Sequence, residues 1–208
     1  MTKIKICGLR RPEDVAMVNR WRPDFAGFVF AAGRRQVTQE KARALRQQLD
    51  PAIPAVGVFV RERIETVAAL ANEGIIQLIQ LHGDEDQAYI AGLRQKTKAP
   101  IIKVIRVKDK ESLEHLEKWD CEYFLLDAFS QSQFGGQGKT FDHKLLKDLT
   151  LPKPFFLAGG LNTDNVEDAV RCVRPYGVDT SSGVETGGFK DEEKIRGFIR
   201  TVRKEEQQ

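Results

Sequence analysis

Short β-rich runs alternate with amphipathic stretches from one end of this chain to the other, and that alternation restricts its fold more than any other feature. The runs are Lys3–Cys7, Asp24–Phe30, Pro54–Val60, Ile76–Leu81, Pro100–Val107, Glu122–Leu126, Phe155–Ala158 and Tyr176–Thr180. Helical patterns follow them: one opening at Pro12-Glu13-Asp14, then Thr38–Leu49, Glu62–Asn72, Asp84–Lys96, Glu111–Trp119, Thr140–Leu149, a stretch capped by Asn162 or Thr163 and running to Val173, and Asp191–Arg203. Thr38 is placed to cap its helix, and Gly74 suits a helix exit. Strict alternation with short links predicts a parallel sheet with helices packed outside it. Eight units of roughly 25 residues in a chain of 208 predict an α/β fold, a (β/α)8 TIM barrel forming a single domain over residues 1–208. A doubly wound sheet is the alternative architecture. It would carry Gly-x-Gly-x-x-Gly after its first strand, where this chain has Cys7-Gly8-Leu9-Arg10.

The totals narrow the functional classes. A net charge of +3, with no basic tract, gives no footprint for nucleic acid, though it favours the approach of a small anion. No apolar run reaches the ~18 residues of a membrane span, and Met1-Thr2-Lys3-Ile4 leads straight into a strand, so neither a membrane nor a secretory route is expected. The cysteines are Cys7, Cys121 and Cys172, an odd number without Cys-x-x-Cys spacing, which points to a reducing compartment and hence the cytoplasm. His82, His115 and His143 show no metal-ligand spacing, and neither a metal nor a cofactor is expected. The polar end of the chain, Arg203 to Gln208, leans toward a monomer, with a homodimer as the alternative.

In a barrel of this kind the chemistry lies where the strands end. Cys7 closes the first run, and it shares strand parity with Lys5, whose ammonium would favour a thiolate base. Cys7 also reads as a buried apolar residue, and Lys5 as the partner of a buried carboxylate. Asp127 follows Phe124-Leu125-Leu126, an apolar surround that would hold a carboxyl protonated as a donor. Gly159-Gly160 and Ser181-Ser182-Gly183 end the last two runs. There glycine lets backbone N–H groups approach a phosphate, although either segment alone also reads as a plain turn. Arg35, with Arg34 as rival, can clamp a carboxylate. His82 has the parity of Gln80 and is expected to face the cavity, as is Asp179 at the end of the last run. Phe129–Lys139 reads as a flexible loop and candidate lid. Its Gly138-Lys139-Thr140 is not a P-loop, because Gln133 stands where that motif needs Gly.

Taken in order, Lys5-Ile6-Cys7-Gly8-Leu9, Gly27-Phe28-Val29-Phe30, Val56-Gly57-Val58-Phe59, Gln80-Leu81-His82-Gly83, Leu126-Asp127, Gly138 to Asp142, Leu157 to Leu161 and Gly177 to Glu185 resemble the phosphoribosylanthranilate isomerase family across nearly the whole chain. The resemblance implies a (β/α)8 barrel in tryptophan biosynthesis. It implies an aldose–ketose isomerase, formally an intramolecular oxidoreductase, that carries out the Amadori rearrangement of N-(5-phosphoribosyl)anthranilate to 1-(2-carboxyphenylamino)-1-deoxy-D-ribulose 5-phosphate. It assigns Cys7 as general base, Asp127 as general acid, Arg35 to the anthranilate carboxylate, and the glycines after the last two strands to the phosphate. The chain departs from the family at Gly33-Arg34-Arg35-Gln36-Val37, where Ser-Pro before the arginine is missing, and at Gln137 and His143. The related histidine-pathway isomerase would carry Asp where Cys7 stands.

Overall fold

The computed structural model describes residues 1–127 and 150–204. Eight strands close into a parallel barrel in sequence order, which excludes the doubly wound alternative. In chain order the main elements are β1 (Lys3–Cys7), α1 (Pro12–Trp21), β2 (Phe25–Val29), α2 (Gln39–Gln48), β3 (Ala55–Phe59), α3 (Ile64–Asn72), β4 (Leu78–Leu81), α4 (Gln87–Arg94) and β5 (Ile101–Arg106). They continue with β6 (Tyr123–Asp127), β7 (Phe155–Ala158), α5 (Val166–Val173), β8 (Gly177–Thr180), a hairpin of β9 (Glu185–Thr186) and β10 (Phe189–Lys190), and α6 (Glu192–Lys204). The candidate lid at Phe129–Lys139 and the helix expected over Thr140–Leu149 lie outside the described residues.

Alternation along each strand divides the side chains into two sets. One faces outward to the helices and builds the large core, with Ile4, Ile6, Phe28, Phe59, Phe124 and Val178 fully buried. The other fills the barrel. Its floor is aromatic, with Phe156 in edge contact with Phe25, Tyr123 and Tyr176 at centroid distances of 5.5, 5.8 and 5.3 Å. Val56, Leu78, Ile102, Val104 and Leu125 pack in the same inner cluster. The inward set turns polar toward the carboxyl ends of the strands, where the sequence places its chemistry.

Local choices follow ordinary rules. Thr38 caps α2, its hydroxyl accepting from Lys41 N at 3.2 Å. Pro12 opens α1, and the buried Asp14 carboxylate accepts the backbone N–H groups of Arg10 and Arg11 at 3.0 and 3.1 Å, fixing the loop that leaves β1 just past Cys7. Three expectations fail. Glu111–Trp119 is not one helix but two 3₁₀ turns, Glu111–Leu113 and Leu116–Lys118, separated by a left-handed His115. Its apolar residues Leu113, Leu116 and Trp119 recur every third position, the 3₁₀ period, and Ser112 bonds Asp109 instead of joining a helical ladder. The helix expected over Asp84–Lys96 shortens to α4, because Asp86 is the residue whose side chain caps it, accepting from Tyr89 N at 2.8 Å. Neither Asn162 nor Thr163 caps α5; Asn165 Oδ1 accepts from Asn162 N and Asn162 Oδ1 from Asp164 N, both at 2.8 Å, in a turn that delays the helix to Val166.

Candidate active site

Cys7 ends β1 and Asp127 ends β6, and both line one cavity of about 320 Å³ at the carboxyl mouth of the barrel. Gln80, His82 and Asp179 line the same cavity, as do Arg34 and Arg35 on one side and Gly159, Gly160, Ser181, Ser182 and Gly183 on another. Every candidate read from the strand ends therefore meets at a single place.

The thiol of Cys7 is buried, and its neighbour across the strand pair is Gly27, where a Cβ would lie 2.7 Å from Sγ. Burial raises its pKa above that of an ordinary cysteine. Lys5 and, less strongly, Lys190 pull it down, while Asp179 adds to the rise. The ammonium of Lys5 thus favours the thiolate, as parity suggests, but burial outweighs it. Lys5 is also the partner of a buried carboxylate: its Nζ donates to Asp179 Oδ1 at 2.9 Å, with both side chains almost wholly enclosed. Burial opposes the Lys5 charge, yet Asp179 and Cys7 more than restore it and its pKa is raised.

Asp127 is less enclosed than Phe124-Leu125-Leu126 suggests, with 18% of its side chain exposed, and the Nε2 of His82 stands 3.6 Å from Oδ2. On the other edge of that imidazole, Gln80 Nε2 lies 3.1 Å from Nδ1. With the amide donating there, a neutral His82 carries its proton on Nε2, toward Asp127. Gln80 is buried beneath the cavity, and its Oε1 makes no hydrogen bond among the described residues.

At the opposite rim, Gly159 and Gly160 both have positive φ (96° and 76°), and Ser182–Val184 forms a short 3₁₀ turn. These two loops touch at backbone level. A Cβ on Gly183 would fall 1.9 Å from Leu161 O, which also accepts the Thr180 hydroxyl at 2.7 Å. The Ser181 hydroxyl donates to Cys7 O at 3.0 Å, tying the last loop to the first strand.

The arginine side holds what the sequence left unread. Arg35 is engaged by Glu185 through Nε and Nη2 at 2.7 and 2.9 Å; Arg34 Nη2 reaches the same carboxylate at 2.8 Å, and Lys190 Nζ reaches it at 2.9 Å. Glu185 lies directly across the hairpin from Lys190. Burial opposes its charge, but Arg35 and Lys190 hold the carboxyl down at about 2. The signal for this hairpin was Gly187-Gly188 between two extended dipeptides, a two-residue turn whose positive φ values (58° and 84°) glycine accepts without cost. Among the described residues no group of three or more His, Cys, Asp or Glu is placed to hold a metal ion.

Comparison with known proteins agrees with this arrangement. Residues 4–201 match the family described as PRAI, N-(5'phosphoribosyl)anthranilate (PRA) isomerase. The chain belongs to the N-(5'-phosphoribosyl)anthranilate isomerase family. A relative from Acetivibrio thermocellus, named N-(5'-phosphoribosyl)anthranilate isomerase, is 50% identical over 210 residues, covering 98% of this chain and 96% of its own length. A phosphoribosyl anthranilate isomerase solved in complex with reduced 1-(o-carboxyphenylamino)-1-deoxyribulose 5-phosphate superposes with a TM-score of 0.83 at 32% identity, covering 98% of this chain and all of that one. Monomers generated from the dimeric enzyme of Thermotoga maritima superpose at 0.82, also at 32% identity and with the same coverage. The barrel inferred from alternating elements is thus the fold of the family.

Proposed function

We propose that this chain isomerises N-(5'-phosphoribosyl)anthranilate to 1-(2-carboxyphenylamino)-1-deoxyribulose 5-phosphate, the rearrangement used in tryptophan biosynthesis. Family membership supports the reaction. The observation that carries the assignment of residues is the convergence of Cys7 and Asp127 on one cavity. In this reading Asp127 protonates the ring oxygen as the bond from that oxygen to C1 breaks, opening the sugar to a protonated imine. His82, with its Nε2 toward Asp127, orients that carboxyl. The Cys7 thiolate takes the proton from C2. The electron pair moves into the C1–C2 bond, and the imine nitrogen becomes the enamine nitrogen. Protonation at C1 and loss of the C2 hydroxyl proton give the ketose. The substrate nitrogen serves as the electron sink, so the scheme assigns no step to a cofactor. Each proton transfer supplies about 10²–10⁴ in rate.

Binding is read from the two rims. The loops of Gly159-Gly160 and Ser181-Ser182-Gly183 hold the phosphate on backbone N–H groups, and Arg35 holds the anthranilate carboxylate. Arg35 is chosen over Arg34 because its side chain is 26% exposed against 56%, which leaves it better shielded from water. Asp179, held by Lys5 through Oδ1, presents Oδ2 to a sugar hydroxyl. The two ends fix the sugar between base and acid. The chain is read as a cytoplasmic monomer. A sedimentation mass near the chain mass of 23.5 kDa is expected, and twice that mass would contradict the monomer.

The test of the reaction is the loss of fluorescence of freshly made phosphoribosylanthranilate on adding the purified protein, run beside the aminoaldose of histidine biosynthesis. Rapid loss of the first with the second unchanged is expected. No turnover of the first would leave a barrel that binds phosphorylated metabolites without catalysis.

A further inference from the structure

Outside the reacting groups, one carboxylate, that of Glu185, accepts hydrogen bonds from three cations, Arg34, Arg35 and Lys190. An arginine carries five N–H donors on a rigid plane, and a carboxylate can engage only one edge of it. Glu185 takes the Nε/Nη2 edge of Arg35 at 2.7 and 2.9 Å. The Nη1 donors of Arg35 make no hydrogen bond among the described residues. Arg35 lines the cavity, whereas Glu185 and Lys190 do not, so Glu185 grips the guanidinium from behind, away from the substrate. The grip is itself anchored. The side chain of Glu185 is only 5% exposed, its Oε1 also accepts from the buried Lys190, and Lys190 donates in turn to Ser181 O at 2.8 Å. The stem of Arg35 runs over Gly8, where a Cβ would come within 2.6 Å of Cδ. A flexible arginine is thereby reduced to one plane and one outward edge, and little side-chain entropy remains to be lost on binding.

We propose that Glu185 is a positioning residue: by occupying the rear edge of Arg35 it turns the forward edge into the cavity and so sets the selectivity of this enzyme for substrates bearing a carboxylate. The proposal rests on the reading of Arg35 given above and adds what fixes its geometry. Three cations around one carboxylate also leave that rim with a net charge of +2 from Arg34, Arg35, Lys190 and Glu185, suited to a second carboxylate arriving from the cavity.

The experiment measures inhibition constants of two probes, reduced 1-(o-carboxyphenylamino)-1-deoxyribulose 5-phosphate and its counterpart with a plain phenyl ring. Their ratio isolates what the carboxylate contributes. In Glu185→Gln, whose amide cannot accept two bonds from the fork, the ratio is expected to fall about tenfold through weaker binding of the carboxylate probe alone. Glu185→Asp keeps the charge facing Lys190 but draws it off the fork, so its ratio is expected to fall as well, and it carries the test if the Gln variant does not fold. An equal rise in both constants, as from general collapse of the rim, would overturn the proposal, as would a wild-type ratio in the Asp variant. Arg35→Met separates the two readings. If its ratio is unchanged, Arg35 does not read the carboxylate and both ideas fall. If its ratio collapses while the Glu185 variants keep theirs, only the positioning role is lost.

Discussion

Cys7 is subject to opposing effects, and the balance can be measured. Burial lifts the thiol; Lys5 and Lys190 draw it down without prevailing. In a chain with Cys121 and Cys172 replaced by Ser, the rate of alkylation of Cys7 by iodoacetamide is therefore expected to rise with pH through a midpoint above the ordinary ~8.5. Lys190→Met removes one of the two cations and should move that midpoint further up; a midpoint that stays put or drops would contradict the balance. Parity along β1 placed Lys5 and Cys7 on one side, and parity along β4 did the same for Gln80 and His82, because alternation is local. The contact of Glu185 with Arg35 spans 150 positions, and nothing local in the chain announces it.

Elements ending in strands were the legible ones. The runs Lys3–Cys7 and Phe155–Ala158 match β1 and β7 to the residue and the others agree to within two, because buried parallel strands are short, apolar and bounded by turn residues. The stretch after β5 was misread because nine residues are too few for helical periodicity to outvote a three-residue repeat and a competing Ser112–Asp109 bond. The hairpin of β9 and β10 went unread as structure because its strands are only two residues long. At this scale Gly183 makes the sharpest prediction. Its missing side chain lets the loops after β7 and β8 touch, and Leu161 O cannot retreat without losing the Thr180 hydroxyl. Gly183→Ala is expected to raise KM roughly 10- to 100-fold while kcat changes less, since it shifts the proposed phosphate loop but not the acid or base. Steady-state kinetics would contradict this if KM were unchanged.

Across the whole molecule the barrel divides its labour along its axis. Aromatic rings close the amino end, an enclosed Lys5–Asp179 pair lies within, and polar groups surround the cavity at the carboxyl end. Stability and chemistry should therefore separate under mutation. Phe156→Ala, in the floor, is expected to cost about 3–5 kcal/mol in urea unfolding while KM and kcat of the folded fraction stay near wild type; a collapse of kcat with intact stability would show the two ends to be coupled. The proposed mechanism needs a thiol and a carboxyl, 120 positions apart in sequence, to work on one sugar. The most direct test is the turnover number of Cys7→Ser and Asp127→Asn on phosphoribosylanthranilate, with folding checked by circular dichroism. Each is expected to fall by at least about a hundredfold, whereas near-normal kcat in either variant would remove that residue from the proton transfers.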